Sequence, residues 1–241
     1  MTKKWLKVAL MVTAIATGTS INIDAETVLY VPQDNRPVSL QYTVDTAREA
    51  GMTVLTPPQH LISGKTYQGQ ADQIMAWVEQ NAGRADVMVL STDTLIYGGL
   101  VDSRKHNIPL STLQNRLKRI EGLKARNKNV RIYGFGTVMR SPRASGGGTE
   151  PAYYAEYGPT IFQIAALQDK LDSGSLTQEE TQKMMSLQAS VPVEYLQDWF
   201  DRRQKNMKIN KELIDETRSG VFDYFALGHD DTSQLSQSAL E

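Results

Sequence analysis

Apolar residues in this chain fall into two alternating patterns, and that alternation constrains the fold more than any single motif. Continuous runs rich in branched and aromatic residues stand at 27–31, 87–90, 130–135 and 222–227, with a weaker one at 53–55 that ends at Pro57-Pro58. Each is too short for a helix and is bounded by turn residues, so each predicts a buried strand. Between them, apolar residues recur every three or four positions. Leu40, Val44 and Ala47 share one helical face that Ser39 would cap and Gly51 would end. Ile74, Trp77 and Val78 mark a second helix ending near Gly83. Leu113, Leu117, Ile120 and Leu123 mark a third, with Ser111 near its start. Strands that are apolar throughout, separated by amphipathic helices, predict parallel βαβ units. Right-handed crossovers then give a doubly wound, mostly parallel α/β sheet, Rossmann- or flavodoxin-like, with a partial β/α barrel as the alternative.

After Arg140 the texture changes. "SPRASGGGTEP" reads as a glycine-rich loop, and a mostly helical stretch follows over about 151–219, broken near 173–176 and at Pro192. It predicts a helical insertion before the last strand. Residues 233–241 close the sequence without a helix pattern, so an α/β domain spanning 26–241 is expected to be incomplete at its C-terminus.

The first 25 residues follow the grammar of a secretion signal. Lys3, Lys4 and Lys7 precede an apolar run from Val8 to about Thr17, and Ile23 and Ala25 occupy the −3 and −1 positions of a cleavage site. The run falls short of the roughly 20 residues that a membrane-spanning helix needs, so no stable span is expected once the signal is removed. An uncleaved anchor is the alternative. The predicted location is therefore extracellular or cell-envelope. The formal charge of −1 offers no general attraction to nucleic acid. The basic run "NRLKRIEGLKARNKNVR" carries an apolar stripe, so its charges read as a solvated helix face. The absence of cysteine removes disulfides, thiolate metal sites and a cysteine nucleophile together. His60, His106 and His229 are far apart and form no zinc motif.

In open parallel sheets, ligands bind beyond the carboxyl ends of the strands. The predicted strands are followed by "PQDNRPVS", "STDTLIYGG", "GTVMRSPR" and "GHDDTS". Asp, Asn, Gly and Pro follow many strands because they suit turns and caps, so Asp34 or Asp93 alone would read as a cap and Arg36 as its ion-pair partner. Acids and arginines after four strands instead predict one shared rim. Asp93 with Asp230 or Asp231 would form an acid/base or nucleophile pair, as glycoside hydrolysis requires. Asp34, Arg36, Tyr97, Arg104 and Arg140 would bind the substrate, the arginines through fork-shaped hydrogen bonding. The expectation is an exported hydrolase acting on a carbohydrate or cell-wall glycan, with a carbohydrate or small polar substrate as its partner. A non-catalytic exported solute- or glycan-binding module is the alternative. No metal or cofactor is predicted; a divalent cation held by these carboxylates is the lesser reading. Neither a G-x-G-x-x-G nor a P-loop lysine motif follows a strand.

Taken together and in order, "YVPQDNRPVS", "STDTLIYGGLVDSR", "GFGTVMRSP" and "GHDDTS" resemble the bacterial DUF4127 family, whose function is uncharacterised. The resemblance highlights Asp34, Arg36, Pro37, Asp93, Tyr97, Gly98, Gly99, Ser103, Arg104, Arg140, Asp230 and Asp231. It also implies that this chain is the N-terminal portion of a longer family member, and it supplies no reaction.

Overall fold

A computed structural model describes residues 25–144 and 147–229. Apart from Ala25, the predicted signal lies outside the described residues, as do Asp230 and Asp231. The sheet has five strands: β1 (Thr27–Val31), β2 (Thr53–Leu55), β3 (Val87–Ser91), β4 (Arg131–Val138) and β5 (Tyr224–His229). All pairings are parallel, in the order β2-β1-β3-β4-β5, which is the flavodoxin-like arrangement. The sheet is open, and the barrel alternative is set aside.

Helices α1 (Gln41–Glu49) and α2 (Ala71–Asn81) flank β2 in sequence. A short α3 (Thr92–Tyr97) and a longer α4 (Leu110–Arg126) join β3 to β4. The expected helical insertion is α5 (Tyr154–Asp172), α6 (Gln178–Ala189) and α7 (Val193–Arg218). Three of the four crossovers run the same way along the sheet, and right-handedness stacks their helices on one face. That face holds the main core: Leu29, Val31, Met88, Leu90 and Ile132 pack against Ile74 and Val78 of α2, the Leu113–Leu123 stripe of α4, and Ile209 and Leu213 of α7. Each such aliphatic side chain contributes about 1.5–3 kcal/mol when fully buried. On the opposite face, Thr43 and Ala47 of α1 stand over Val28, Tyr30 and Val89, beside an apolar cleft of about 290 Å³. The insertion has a second core of its own, in which Trp199 of α7 packs with Tyr154, Ile161 and Ile164 of α5.

Two local expectations shift. The helix after β1 is capped by Leu40 without a side-chain bond. Ser39 instead stays in the preceding turn, where its carbonyl accepts the Tyr30 hydroxyl. Gly51, at φ +83°, does follow α1. Ser111 is the second residue of α4, near its start as expected. The last strand starts at Tyr224 rather than at 222, because Phe222 turns into the core against Phe225 before the ladder begins.

Candidate functional site

The chain leaves β1 for one face of the sheet and leaves β3 for the other. Their carboxyl ends are hydrogen-bonded neighbours, so the crevice between the departing loops is the topological switch point. The hydroxyls of "STDT" stitch it together. Ser91 Oγ accepts the Thr94 N–H at 3.3 Å and caps α3. Thr92 Oγ1 donates to the Phe135 carbonyl on β4 at 3.1 Å, and Thr94 Oγ1 to the Pro32 carbonyl after β1 at 2.6 Å. Asp93 receives Gln33 Nε2 and Thr137 Oγ1 on its Oδ2, each at 2.9 Å. The carboxyl ends of three strands are therefore tied through four consecutive side chains.

Asp93 is only 2 % exposed. Burial pushes its carboxyl up to about 6 against the pull of Gln33, Thr137 and the Arg104 charge. Tyr97 is also buried, stacked on His106 with ring centroids 4.9 Å apart, and its hydroxyl has no hydrogen-bond partner among the described residues. His106 is pushed down to about 4, chiefly by burial. Its Nδ1 accepts the Ile108 N–H, so in the neutral ring Nε2 donates to Asn206 Oδ1 at 2.8 Å.

The two glycines after Tyr97 permit a close crossing. Gly98 takes φ +111° to end α3, and the loop over 63–70 passes against it. A Cβ at Gly69 would stand 2.0 Å from the Gly98 carbonyl oxygen. The Gly69 N–H donates to Asp102 Oδ2 at 3.0 Å. Gly69→Ala is expected to cost about 2 kcal/mol, as overpacking against backbone does. An unchanged denaturant midpoint would show that the two loops do not meet this closely.

Above these ties opens a cleft of about 440 Å³ lined by Asp34, Arg36, Lys65, Arg104, Arg140 and Thr149, with Gly64, Leu100 and Val101. Asp34 is buried, and Arg36 doubles back onto it: Nε donates to Oδ2 at 2.9 Å and the backbone N–H to Oδ1 at 3.1 Å. Burial raises the Asp34 carboxyl, but the Arg36 and Ser39 hydrogen bonds outweigh it and hold the group below its ordinary range. Asp34 thus does not cap the following helix but closes the turn onto the Arg36 N–H, Arg36 pairs with it as expected, and both residues still face the cleft. Arg140 is held by Glu150, with Nε on Oε1 at 2.9 Å, while its Nη2 donates to Thr149 Oγ1 at 2.9 Å. Glu150 is 2 % exposed and also lies 4.0 Å from Arg104.

The structure thus brings Asp34, Arg36, Arg104 and Arg140 to one cleft and places Asp93 and Tyr97 buried outside its lining. Asp230 and Asp231 lie outside the described residues. Sequence reasoning missed Lys65, because the weak β2 run was not followed to its loop, and Glu150, because its loop reads only as glycine-rich. It also missed the buried polar row on α7. There Arg202 Nε donates to the His106 carbonyl at 2.7 Å and Asn206 Nδ2 to the Ser103 carbonyl at 2.8 Å. Arg203 Nη1 donates to the Arg140 carbonyl at 3.1 Å and to Ser141 Oγ at 2.9 Å. The available signal was polar residues at 202, 203 and 206 on the same helical face as Trp199, Ile209 and Leu213. Among the described residues, no group of three or more His, Cys, Asp or Glu side chains is placed to hold a metal ion.

Fold and cleft together define a doubly wound α/β protein with a polar crevice at its switch point, lined among the described residues by arginine, lysine and aspartate side chains. The chain belongs to the DUF4127 family, described as proteins of unknown function, whose model matches residues 28–241. No curated protein and no solved structure matches it.

Proposed function

We propose that this chain is an exported binding protein whose switch-point cleft takes a small hydroxyl-rich ligand of the carbohydrate class. The observation that carries this reading is the cleft itself. It is polar, of a size suited to a small molecule, and built from both acceptors and fork-shaped donors held in place before any ligand arrives. Asp34 and Thr149 offer oxygens to sugar hydroxyls, and Arg36 and Arg140 offer N–H groups whose planes Asp34 and Glu150 already orient. Binding takes precedence over glycan hydrolysis because Asp93, the expected acid, is enclosed behind the cleft, and Asp34 is committed to Arg36. Hydrolysis stands second. It is favoured by the Asp93 carboxyl near 6, a value suited to a general acid, and it needs Asp230 or Asp231 as partner. The sequence of the first 25 residues supports export, and none of the described helices is long and apolar enough to cross a membrane.

The test is calorimetry of the chain against a panel of neutral and acidic mono- and disaccharides, with release of reducing ends followed in parallel. Binding without turnover is expected. Arg36→Ala, whose side chain is 53 % exposed, should weaken it about tenfold through one lost charge-assisted hydrogen bond, and a thermal melt of the same variant reads separately the cost of taking Arg36 away from buried Asp34. Turnover abolished by Asp230→Asn or Asp231→Asn would promote the hydrolase. A full panel without heat of binding would remove the carbohydrate class.

A further inference from the structure

The two edges of the sheet are unlike. β2 closes one edge with three residues and runs on to Pro57-Pro58, which leaves little backbone to pair. β5 forms the other edge with six residues, Tyr224–His229, and carries neither proline nor lysine. It pairs with β4 along one side, and among the described residues no strand or loop backbone is hydrogen-bonded to its outer side. Tyr224, Ala226, Gly228 and His229 are exposed, Tyr224 by 63 %. Natural sheets blunt such an edge with a charge, a proline or a covering element, and a long apolar edge left bare is a pairing site. The face beside it says the same. Tyr30, Val89, Tyr133 and Tyr224 lie in register across β1, β3, β4 and β5, so they share one side of the sheet. Helix α1 stands at the Tyr30 end of this row, and the other end stops in solvent at Tyr224.

We propose that β5 pairs antiparallel with β5 of a second copy of this chain, across a twofold axis at Ala226, joining two five-stranded sheets into one. The register follows from the side chains. Facing residues of an antiparallel pair lie on the same side of the sheet, so a symmetric pairing centres on a residue rather than between two. Centred on Ala226, the stretch from Asp223 to His229 complements itself. Phe225 falls opposite Leu227 of the second copy, an aromatic–aliphatic pair. Tyr224 falls opposite Gly228, where the ring covers backbone that glycine leaves bare. Asp223 falls opposite His229, so no like charges meet. Centring on Leu227 would set Phe225 against His229 and leave Tyr224 facing a residue beyond the strand. Centring on Phe225 would leave Gly228 and His229 without strand partners. Both copies use the same edge, so the contact closes at two. The pairing is independent of what the switch-point cleft binds.

Sedimentation equilibrium of the chain at rising concentration reads the mass directly. One strand from each copy is a small contact, so the dimer should be weak: monomer at about 1 µM and mostly dimer by about 500 µM. Ala226→Lys sets two ammonium groups against each other at the axis, on an exposed position of the edge, and should weaken the dimer about tenfold or more. Ala226→Glu should do the same. An equimolar mixture of the two variants should recover the dimer, because lysine then faces glutamate, and it does so only if residue 226 faces itself. Tyr224→Ala adds no charge and should weaken the dimer about fivefold by uncovering Gly228. Circular dichroism of each variant checks that the fold is kept. A chain that stays monomeric at about 500 µM overturns the pairing and leaves the edge to a partner other than a second copy. A dimer indifferent to Ala226→Lys overturns it as well, since the contact then lies elsewhere on the surface. A mixture that fails to recover what each variant lost overturns the axis at Ala226.

Discussion

Arg203→Met should lower the stability of the chain by about 3 kcal/mol and loosen the cleft, although residue 203 lies outside the cleft lining. The argument begins with burial. Arg203 is 1 % exposed, and a guanidinium in such a place is tolerated only if its donors are used. Nη1 donates to the Arg140 carbonyl and the Ser141 hydroxyl, and the guanidinium lies over the Trp199 ring at 5.8 Å. Methionine fills much of the same space but supplies no donor. The carbonyl of Arg140 and the hydroxyl of Ser141 then lose a buried partner, at about 1–3 kcal/mol each, and the ring contact adds about 1 kcal/mol at most. For a chain of this size that corresponds to a fall in Tm of about 6–12 °C. The loop after β4 would no longer be fixed to α7, so ligand affinity should fall even at temperatures where the variant is fully folded. Arg203→Lys separates charge from geometry: it keeps the cation, cannot reach both acceptors at once, and should recover only part of the stability. A loss below about 0.5 kcal/mol for methionine, within the range of ordinary surface changes, would mean that α7 does not hold the loop.

How much of this was legible beforehand differs by level. The five strands and the apolar stripes were readable because burial on both faces makes a strand continuously apolar, and burial on one makes a helix periodic. Their order was not, since local pattern does not say on which side of β1 the chain lays β3; crossover handedness and packing decide that. The rim was readable as a set of strand-end residues, yet its internal arrangement was not. Asp93 looks like a catalytic acid in a string, but Thr92 and Thr94 beside it are seen to be stitches only when Phe135 and Pro32 are brought to them from 43 and 62 residues away. The helical insertion looked like an addition to the domain. Arg202, Arg203 and Asn206 make it a support behind the site, because their donors end on carbonyls of the two loops that carry Arg104 and Arg140.

Asp93→Asn is expected to stabilise the chain at neutral pH by about 3 kcal/mol relative to its effect in acid, and the pH profile carries the proof. An unfolded aspartate titrates near 3.9, and burial lifts Asp93 in the folded chain to about 6. Below about pH 4 the carboxyl is protonated in both states, and the folded form keeps its full advantage from this group. As pH rises, the unfolded chain releases the proton first, and the folded chain must give it up against desolvation. Stability from Asp93 is therefore lost between about pH 4 and pH 6, and above that the ionised carboxylate costs about 3 kcal/mol. Asparagine keeps an oxygen for Gln33 and Thr137 and carries no charge, so the variant lacks this loss. Asp34, Asp72, Glu79 and Asp223 have lowered values and give the opposite slope in acid, but they do so in both proteins and cancel in the difference. Urea unfolding of both proteins from pH 4 to pH 8 reads that difference directly. If it stays flat, Asp93 titrates normally and its burial is fully compensated, by the Gln33 and Thr137 hydrogen bonds ahead of the Arg104 charge. If it rises as expected, the chain carries at its switch point a carboxyl that a neutral isostere would improve for folding. That cost comes from burial set against the Gln33 and Thr137 hydrogen bonds, so the profile separates Asp93 from Thr92 and Thr94 beside it, whose hydroxyl bonds to Phe135 and Pro32 carry no such dependence on pH.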